Sequence, residues 1–240
     1  MYRSGLSIFM DICIMHILLI AASVPEIEST IEFFKEKKNK GDRPEVDIAI
    51  SGIGLVATAY CLTRYIAYRR PDLIIQAGIA GSYVKGKMAS VVSIREDMLA
   101  DMGVREGGVF KTVFDLSLAD ENIKPFTKGK LVNPYQKLLS ASGLEPVNAV
   151  SVNEVTTDKT RIEWYQQNFN PVVESMEGAA FHYVCLQEKI PFLQMRAISN
   201  AVGERDKSKW QIRKSIEELN EQLIIFLNKL TEYNATHFGI

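Results

Sequence analysis

Short apolar runs alternate with stretches of helical periodicity along almost the whole chain, and this rhythm limits the fold more than any other feature. Runs of strand length fall at His16–Ala22, Asp47–Ser51, Leu73–Ala77, Ala89–Ile94, Val147–Val152, Val172–Ser175 and Phe192–Ile198. Helical stretches lie at Glu26–Lys38, Leu55–Arg69, Asn133–Ser142, Thr160–Asn168, Gly178–Glu188 and Lys209–Glu232. A helix between two strands carries the chain back to the starting end of the sheet, so the strands pair in parallel and the helices cover the faces. The expectation is a three-layer α/β/α domain with a central mixed, largely parallel sheet. Only Glu96–Thr127 breaks the rhythm. Its Gly103, Gly107, Gly108 and Pro125 mark an insertion or loop, expected at the sheet's edge.

The chain has 240 residues, 47% of them hydrophobic, which is enough for one well-filled core. The expected division is a single domain over residues 15–240 with residues 1–14 as an N-terminal extension. Basic and acidic residues number 28 and 29. No stretch concentrates positive charge except Lys35–Lys40, which Glu36 interrupts and which reads as a solvated helix face. Nucleic acid and anionic membranes are therefore excluded as expected partners, and a small molecule is left. No apolar run reaches the ~20 residues of a membrane span. Ile8–Ala22 has a superficial likeness to a signal peptide, but Asp11 and His16 interrupt it and only Arg3 precedes it as a clear base. A cytoplasmic protein is expected. Cys13, Cys61 and Cys185 have no metal-type spacing, and none of His16, His182 and His237 pairs with a cysteine as a ligand set would, so no metal is expected. The chain has no GxGxxG in a dinucleotide unit and no GK[ST], so no nucleotide cofactor is expected either.

Polar residues follow strand-like runs in three places. Glu26 comes after Ala22-Ser23-Val24-Pro25, Glu177 after the run ending at Ser175, and Asn200 after Ala197-Ile198-Ser199. Open α/β sheets bind ligands at such strand ends. Taken singly, each carboxylate also reads as a first-turn residue favoured by the helix dipole, and Asn200 as a loop residue. Glycines also follow runs, in Ser51-Gly52-Ile53-Gly54 and in Gln76-Ala77-Gly78-Ile79-Ala80-Gly81. They read either as tight turns or as places where backbone N–H groups approach a ligand.

The combination is more specific than its parts. Val173-Glu174-Ser175-Met176-Glu177-Gly178-Ala179-Ala180, followed by Cys185, Pro191-Phe192 and Arg196-Ala197-Ile198-Ser199-Asn200, resembles the nucleoside phosphorylase and nucleosidase superfamily. Its most familiar similar branch is the methylthioadenosine/S-adenosylhomocysteine nucleosidases, and the likeness runs in order from about His16 to about Leu230. The resemblance implies that Glu26 activates water, Met176 packs under a ribose, and Glu177 accepts hydrogen bonds from its 2′- and 3′-hydroxyls. It places Ala80 and Gly81 along the sugar and base, Ser199 and Asn200 at the purine, and Val155 and Thr156 where the family contacts the purine. Ser151-Val152-Asn153-Glu154 departs from the family's Ser-Gly-Asp-Ala-Phe there. It also implies a homodimer whose partner closes the 5′ pocket through Glu96–Thr127.

Breaking an N-glycosidic bond builds positive charge on the ribose and negative charge on the departing base. One carboxylate holds and stabilises the sugar, and a second takes a proton from water. Position 200 carries the departure that bears on substrate. Adenine-cleaving members have aspartate there. Asparagine can donate to a 6-oxo group while its oxygen accepts from a protonated N7, although a flipped amide would satisfy adenine too. Asn200, with Val202-Gly203-Glu204-Arg205-Asp206 and Trp210, is similar to the futalosine hydrolases of menaquinone biosynthesis, which release hypoxanthine. Such a substrate carries a 5′ aromatic carboxylate, for which Arg105 and Arg205 are the candidate cations. Phosphorylases of the superfamily carry a Gly-Asp-Pro loop where this chain has Val24-Pro25-Glu26, so water is the expected nucleophile. An adenine nucleosidase and a phosphorylase are the alternatives, along with a purine-nucleoside sensor without turnover.

Overall fold

A computed structural model describes residues 15–38 and 45–232. The readings made for residues 1–14, Cys13, Lys40 and His237 lie outside the described residues. The elements follow in chain order as β1 (His16–Ala21), α1 (Val24–Lys38), β2 (Glu45–Ile50), α2 (Leu55–Tyr68), β3 (Leu73–Ser82), β4 (Val91–Asp97), β5 (Gly103–Glu106), β6 (Val109–Thr112), β7 (Leu131–Val132), α3 (Gln136–Ala141), β8 (Glu145–Ser151), α4 (Lys159–Phe169), β9 (Val173–Ser175), α5 (Gly178–Glu188), β10 (Phe192–Ala201) and α6 (Ile212–Glu232).

The sheet is mixed and largely parallel. β2, β1, β3 and β10 run parallel to one another. β4 lies antiparallel to β10, β8 runs parallel to β4, β9 runs parallel to β8, and β9 returns antiparallel to β3. β3, β10, β4, β8 and β9 thus close a ring, with β1 and β2 as an extension from β3. Side-chain alternation along the strands sorts the core into layers. Ile17, Leu19 and Ala21 of β1 pack with Leu219, Leu223, Phe226, Leu227 and Leu230 of α6 and with Ile27 of α1. Those α6 positions form one stripe at helical spacing. Leu18 and Ile20 face the other way, onto Leu62 and Ile66 of α2 and Phe181, Val184 and Cys185 of α5. The expected three layers are there, with β1 buried on both faces.

Three local differences from the sequence reading have physical causes. β3 does not end at Ala77 but continues through Ser82, paired with β10 as far as Ala201. Gly78 and Gly81 are therefore strand residues, not turn residues. The insertion does not lie at a free edge, because ring closure gives β4 a neighbour on each side. Beyond β4, the β5–β6 hairpin forms its own two-stranded sheet and sets Phe110 edge-on to Trp164 of α4, 5.2 Å between ring centroids. Lys207–Lys209 is a single 3-10 turn capped by Asp206, so α6 begins at Ile212 instead of Lys209.

Candidate active site

Glu26 sits in the first turn of α1, and the backbone leaves helical geometry at the next residue, Ile27 (φ −129°, ψ 18°). The kink sets the first turn at an angle to the rest of the helix. Its carboxylate is buried and fixed by three donors: Ser23 N–H and Ser23 Oγ reach Oε2 at 3.0 Å each, and Ile79 N–H reaches Oε1 at 3.1 Å. A distant amide secures the kink. Asn220 of α6 donates from Nδ2 to the Glu26 carbonyl (2.9 Å), and its Oδ1 accepts from Thr30 N (3.0 Å) and Thr30 Oγ1 (2.6 Å). Nothing in the local sequence around Glu26 points to Asn220.

Arg196 of β10 is only 1% exposed. Its Nη1 donates to Glu177 Oε2 at 3.3 Å and its Nη2 to Gln76 Oε1 at 3.0 Å. A Cβ on Gly78 would stand 2.5 Å from Arg196 Nη1 and 3.0 Å from Glu26 Oε1. The guanidinium and the Glu26 carboxylate thus press on the same stretch of bare backbone, and only glycine leaves room for both. Glu26 and Glu177 come to one place across Arg196, although they are far apart in sequence. Glu177 is buried at the start of α5, and its Oε1 accepts from Gly54 N–H at 3.1 Å. Gly54 has φ +99°, a conformation that favours glycine, and it caps the start of α2, where N–H groups and the dipole favour an anion. The glycine turn after β2 therefore presents its N–H to a site carboxylate.

These groups border a cavity of about 470 Å³. Glu26, Ala80, Gly81, Val155, Met176, Glu177, Ser199 and Asn200 all line it. Thr156 does not. It is fully buried, and its N–H donates to Glu174 Oε1 at 2.9 Å. The strand-end carboxylate therefore takes the backbone donor that the resemblance would give to the purine. Asn200 accepts at Oδ1 from Ser199 Oγ (2.9 Å) and donates from Nδ2 to Ala201 O (2.9 Å). The backbone register shifts between Ile198 and Asn200, a bulge of the kind that re-aims side chains at sites. Arg205 lines the cavity with its guanidinium carbon 5.4 Å from the Trp210 ring centroid. It is the basic residue among the lining residues. Arg105, by contrast, lies on the β5–β6 hairpin and donates to Gly108 O.

Sequence reasoning passed over Glu174, Tyr83, Arg196, Gln76 and Asn220 as site residues. Arg196 and Glu174 stood inside the recognised segments. The others carry no local signal. Behind Glu177, Ser151 Oγ donates to Asp97 Oδ1 (2.9 Å) and accepts from Ala179 N (2.8 Å), which anchors the first turn of α5. Burial pushes the Asp97 carboxyl up to about 6. Burial also holds the neighbouring-layer His182 ring down to about 4, with Nδ1 facing Leu131 O at 2.9 Å.

Residues 16–232 match the family model described as the phosphorylase superfamily. The chain belongs to the phosphorylase superfamily. It is 29% identical over 178 residues to a futalosine hydrolase from Thermus thermophilus, covering 70% of this chain and 75% of that one. It is 26% identical over 223 residues to a futalosine hydrolase from Streptomyces coelicolor, covering 86% and 93%. Among solved structures, 5′-methylthioadenosine/S-adenosylhomocysteine nucleosidase from Helicobacter pylori, with butyl-thio-DADMe-Immucillin-A, superposes with a TM-score of 0.74 at 21% identity, covering 91% of this chain and 100% of that chain. Likeness at that identity is one of fold. Superfamily membership and these relatives make the chain an N-glycosidic bond hydrolase.

Proposed function

We propose that this chain hydrolyses the N-glycosidic bond of futalosine, releasing hypoxanthine, as a step of menaquinone biosynthesis. The observation that carries the hydrolytic part is the placing of the buried carboxylates of Glu26 and Glu177 on one cavity, with Arg196 bonded to Glu177. Water attacks C1′ as the C1′–N9 bond breaks. Glu26 takes the water's proton, and the oxygen stays on the sugar. Glu177 holds the 2′- and 3′-hydroxyls, and its charge stabilises the cationic ring. The bonding electrons leave with the base, which takes a proton at N7 from solvent, and the proton held by Glu26 returns to solvent, so that one water is consumed and free base and free sugar hydroxyl are formed. General-base assistance of this kind contributes roughly 10²–10⁴-fold.

Two features favour water and a 6-oxopurine. Arg205 is the one basic residue among the described residues that line the cavity, where it stacks on Trp210, and Arg196 behind it is committed to Glu177 and Gln76, which weighs against a phosphate nucleophile. Ser199 donates to Asn200 Oδ1 and so fixes which end of the amide carries N–H; one Nδ2 hydrogen goes to Ala201 O, and the second is left for an acceptor such as O6. Arg205 is the cation for a 5′ carboxylate, and Trp210 with Ile212 and Ile216 is the apolar surface for an aromatic 5′ group. The active species is a homodimer. Ile53 at the cavity and Val56 and Tyr60 on α2 are exposed apolar residues beside the mouth, suited to a partner surface.

The deciding experiment incubates the protein with futalosine, inosine and methylthioadenosine, with and without phosphate, and follows free base. Phosphate-independent release of hypoxanthine from futalosine at the highest rate is the expected result. Adenine release from methylthioadenosine as the dominant activity, or a strict need for phosphate, would overturn the reading. Sedimentation of the active protein as a monomer would remove the dimer.

A further inference from the structure

The break in α1 at Ile27 has a side chain set into it. In an uninterrupted α-helix the Thr30 N–H would bond to the Glu26 carbonyl, four residues earlier. Here each of those two groups meets one end of the Asn220 amide. The Glu26 carbonyl accepts from Nδ2 at 2.9 Å, and the Thr30 N–H donates to Oδ1 at 3.0 Å. A side chain inserted at one rung of the hydrogen-bond ladder is a known cause of a helix kink, and Ile27, between the two groups, leaves helical geometry. The rest of the amide is also in use. The second Nδ2 hydrogen goes to Ile216 O at 2.7 Å, and Oδ1 also accepts from Thr30 Oγ1 at 2.6 Å. A rotated amide would set its oxygen against two carbonyls and its NH2 against the Thr30 N–H, so only one orientation fits. Asn220 is 3% exposed and Thr30 is fully buried, so water does not compete for these bonds. Leu219 and Leu223 beside Asn220 on α6 pack with Ile27 and β1, which fixes the helix that carries the amide.

We propose that Asn220 is a positioning residue for water activation: its amide holds α1 open at Ile27 and so keeps the Glu26 carboxylate on the Ile79 N–H, at the cavity. This rests on the reading of Glu26 as the general base and adds the group that aims it. Asn220 meets the backbone of Glu26, not its carboxylate, and acts on the reaction only through that residue. Without the amide, the Glu26 carbonyl and the Thr30 N–H are buried and unpaired, and the least costly remedy is for them to bond to each other. That closes the rung and swings the first turn, with the Glu26 carboxylate, away from Ile79 N. The helix gains a bond and the site loses its base. Water activation thereby depends on the docking of α6.

The test uses whichever of futalosine, inosine and methylthioadenosine wild type cleaves fastest. It measures kcat and KM per mole of folded protein for Asn220→Ala and Asn220→Leu, each alone and combined with Glu26→Gln. Leucine fills the space of the amide without bonding, which covers the case in which the cavity left by alanine prevents folding. Either substitution alone should lower kcat by about 10²-fold. KM should stay within about threefold, because Met176 and Glu177 still hold the ribose. On the Glu26→Gln background the same substitutions should change kcat by less than about threefold, since no base is left to aim. A merely structural residue would lower the rate equally on both backgrounds. That equal fall, or a wild-type kcat in either folded variant, would overturn the inference. A crystal structure of wild type gives a check that needs no variant. The amide should bond both groups, and a direct Thr30 N–H bond to the Glu26 carbonyl would overturn the inference. A Glu26→Gln enzyme at the wild-type rate would defeat the reading of Glu26 itself. A slow Glu26→Gln beside a fully active Asn220→Ala would defeat only the role of Asn220.

Discussion

At the floor of the cavity, Glu26 is held by three donors and by an amide 194 residues away, and Arg196 is buried against Glu177 and Gln76. At the mouth, Val155 is 41% exposed, and Arg205 meets the indole of Trp210. The floor is over-determined, with each reacting group oriented by partners from several elements. The mouth relies on shape and on a few polar groups. On the proposed roles, bond breaking and substrate choice fall in different parts of one cavity. A change at the floor should remove turnover, and a change nearer the mouth should redirect it.

The largest expected effect is at the floor. Glu26→Gln preserves size and most hydrogen bonds but cannot take a proton from water, so kcat should fall by roughly 10²–10⁴-fold with nucleoside binding retained. Single-turnover kinetics with a separate binding measurement checks this, and a wild-type rate would place water activation elsewhere. Gly78→Ala comes next. Its methyl group must displace Arg196 or Glu26, and a shift of that kind costs about 10²-fold in turnover. A fully active Gly78→Ala enzyme would mean that the floor tolerates movement, and the contrast with the mouth would collapse.

Asp97 tests how far the rigidity extends behind the floor. Burial raises its carboxyl from the ordinary 3.8 to about 6 in the folded chain. The folded state therefore binds the proton more tightly, and the stability this contributes is complete below 3.8 and lost as pH rises through 6. Asp97→Asn cannot ionise. Its stability relative to wild type should climb between about pH 4 and pH 7 by up to about 3 kcal/mol. His182 titrates with the opposite sign but is present in both proteins, so it drops out of the difference. Denaturant melts across that range provide the check, and a flat difference would mean that Asp97 is neutralised by another route. The smallest expected effect is at the base-reading end. Asn200→Asp should shift preference toward a 6-amino base by about tenfold while sparing turnover of the better substrate, because the carboxylate can accept from the amine. A loss of all activity in that variant would make position 200 part of the floor.

Much of this arrangement is legible in sequence because it is local. α5 begins and ends where the apolar periodicity places it, at Gly178 and Glu188. β9, just before Glu177, and β10, which carries Asn200, follow from β-branched and apolar runs. β3 is misread beyond Ala77 because two glycines in an apolar run read as a turn, whereas here they make space for side chains from β10 and α1. Thr156 lies off the cavity for a related reason. Its segment aligns with a purine contact, but its partner, Glu174, comes from a strand that sequence proximity does not connect to it. Asn220 lies on a face of α6 that periodicity marks only as helical. Its role follows from the docking of α6 on α1, and spacing carries no record of that.

The strand ring has a further consequence, in the order of folding. β3 acquires β1 as a parallel neighbour early in the chain, but its other neighbour, β10, comes far later, and Arg196 reaches Gln76 across 120 residues. A growing chain that stops short of β10 leaves one side of β3 unpaired, an edge open to association with other chains. Glu177 also lacks its cation, Arg196. Long-range closure of this kind is slow compared with helix formation. Helical signal therefore returns ahead of catalytic competence on refolding, and the interval between them is when the chain is most exposed to aggregation.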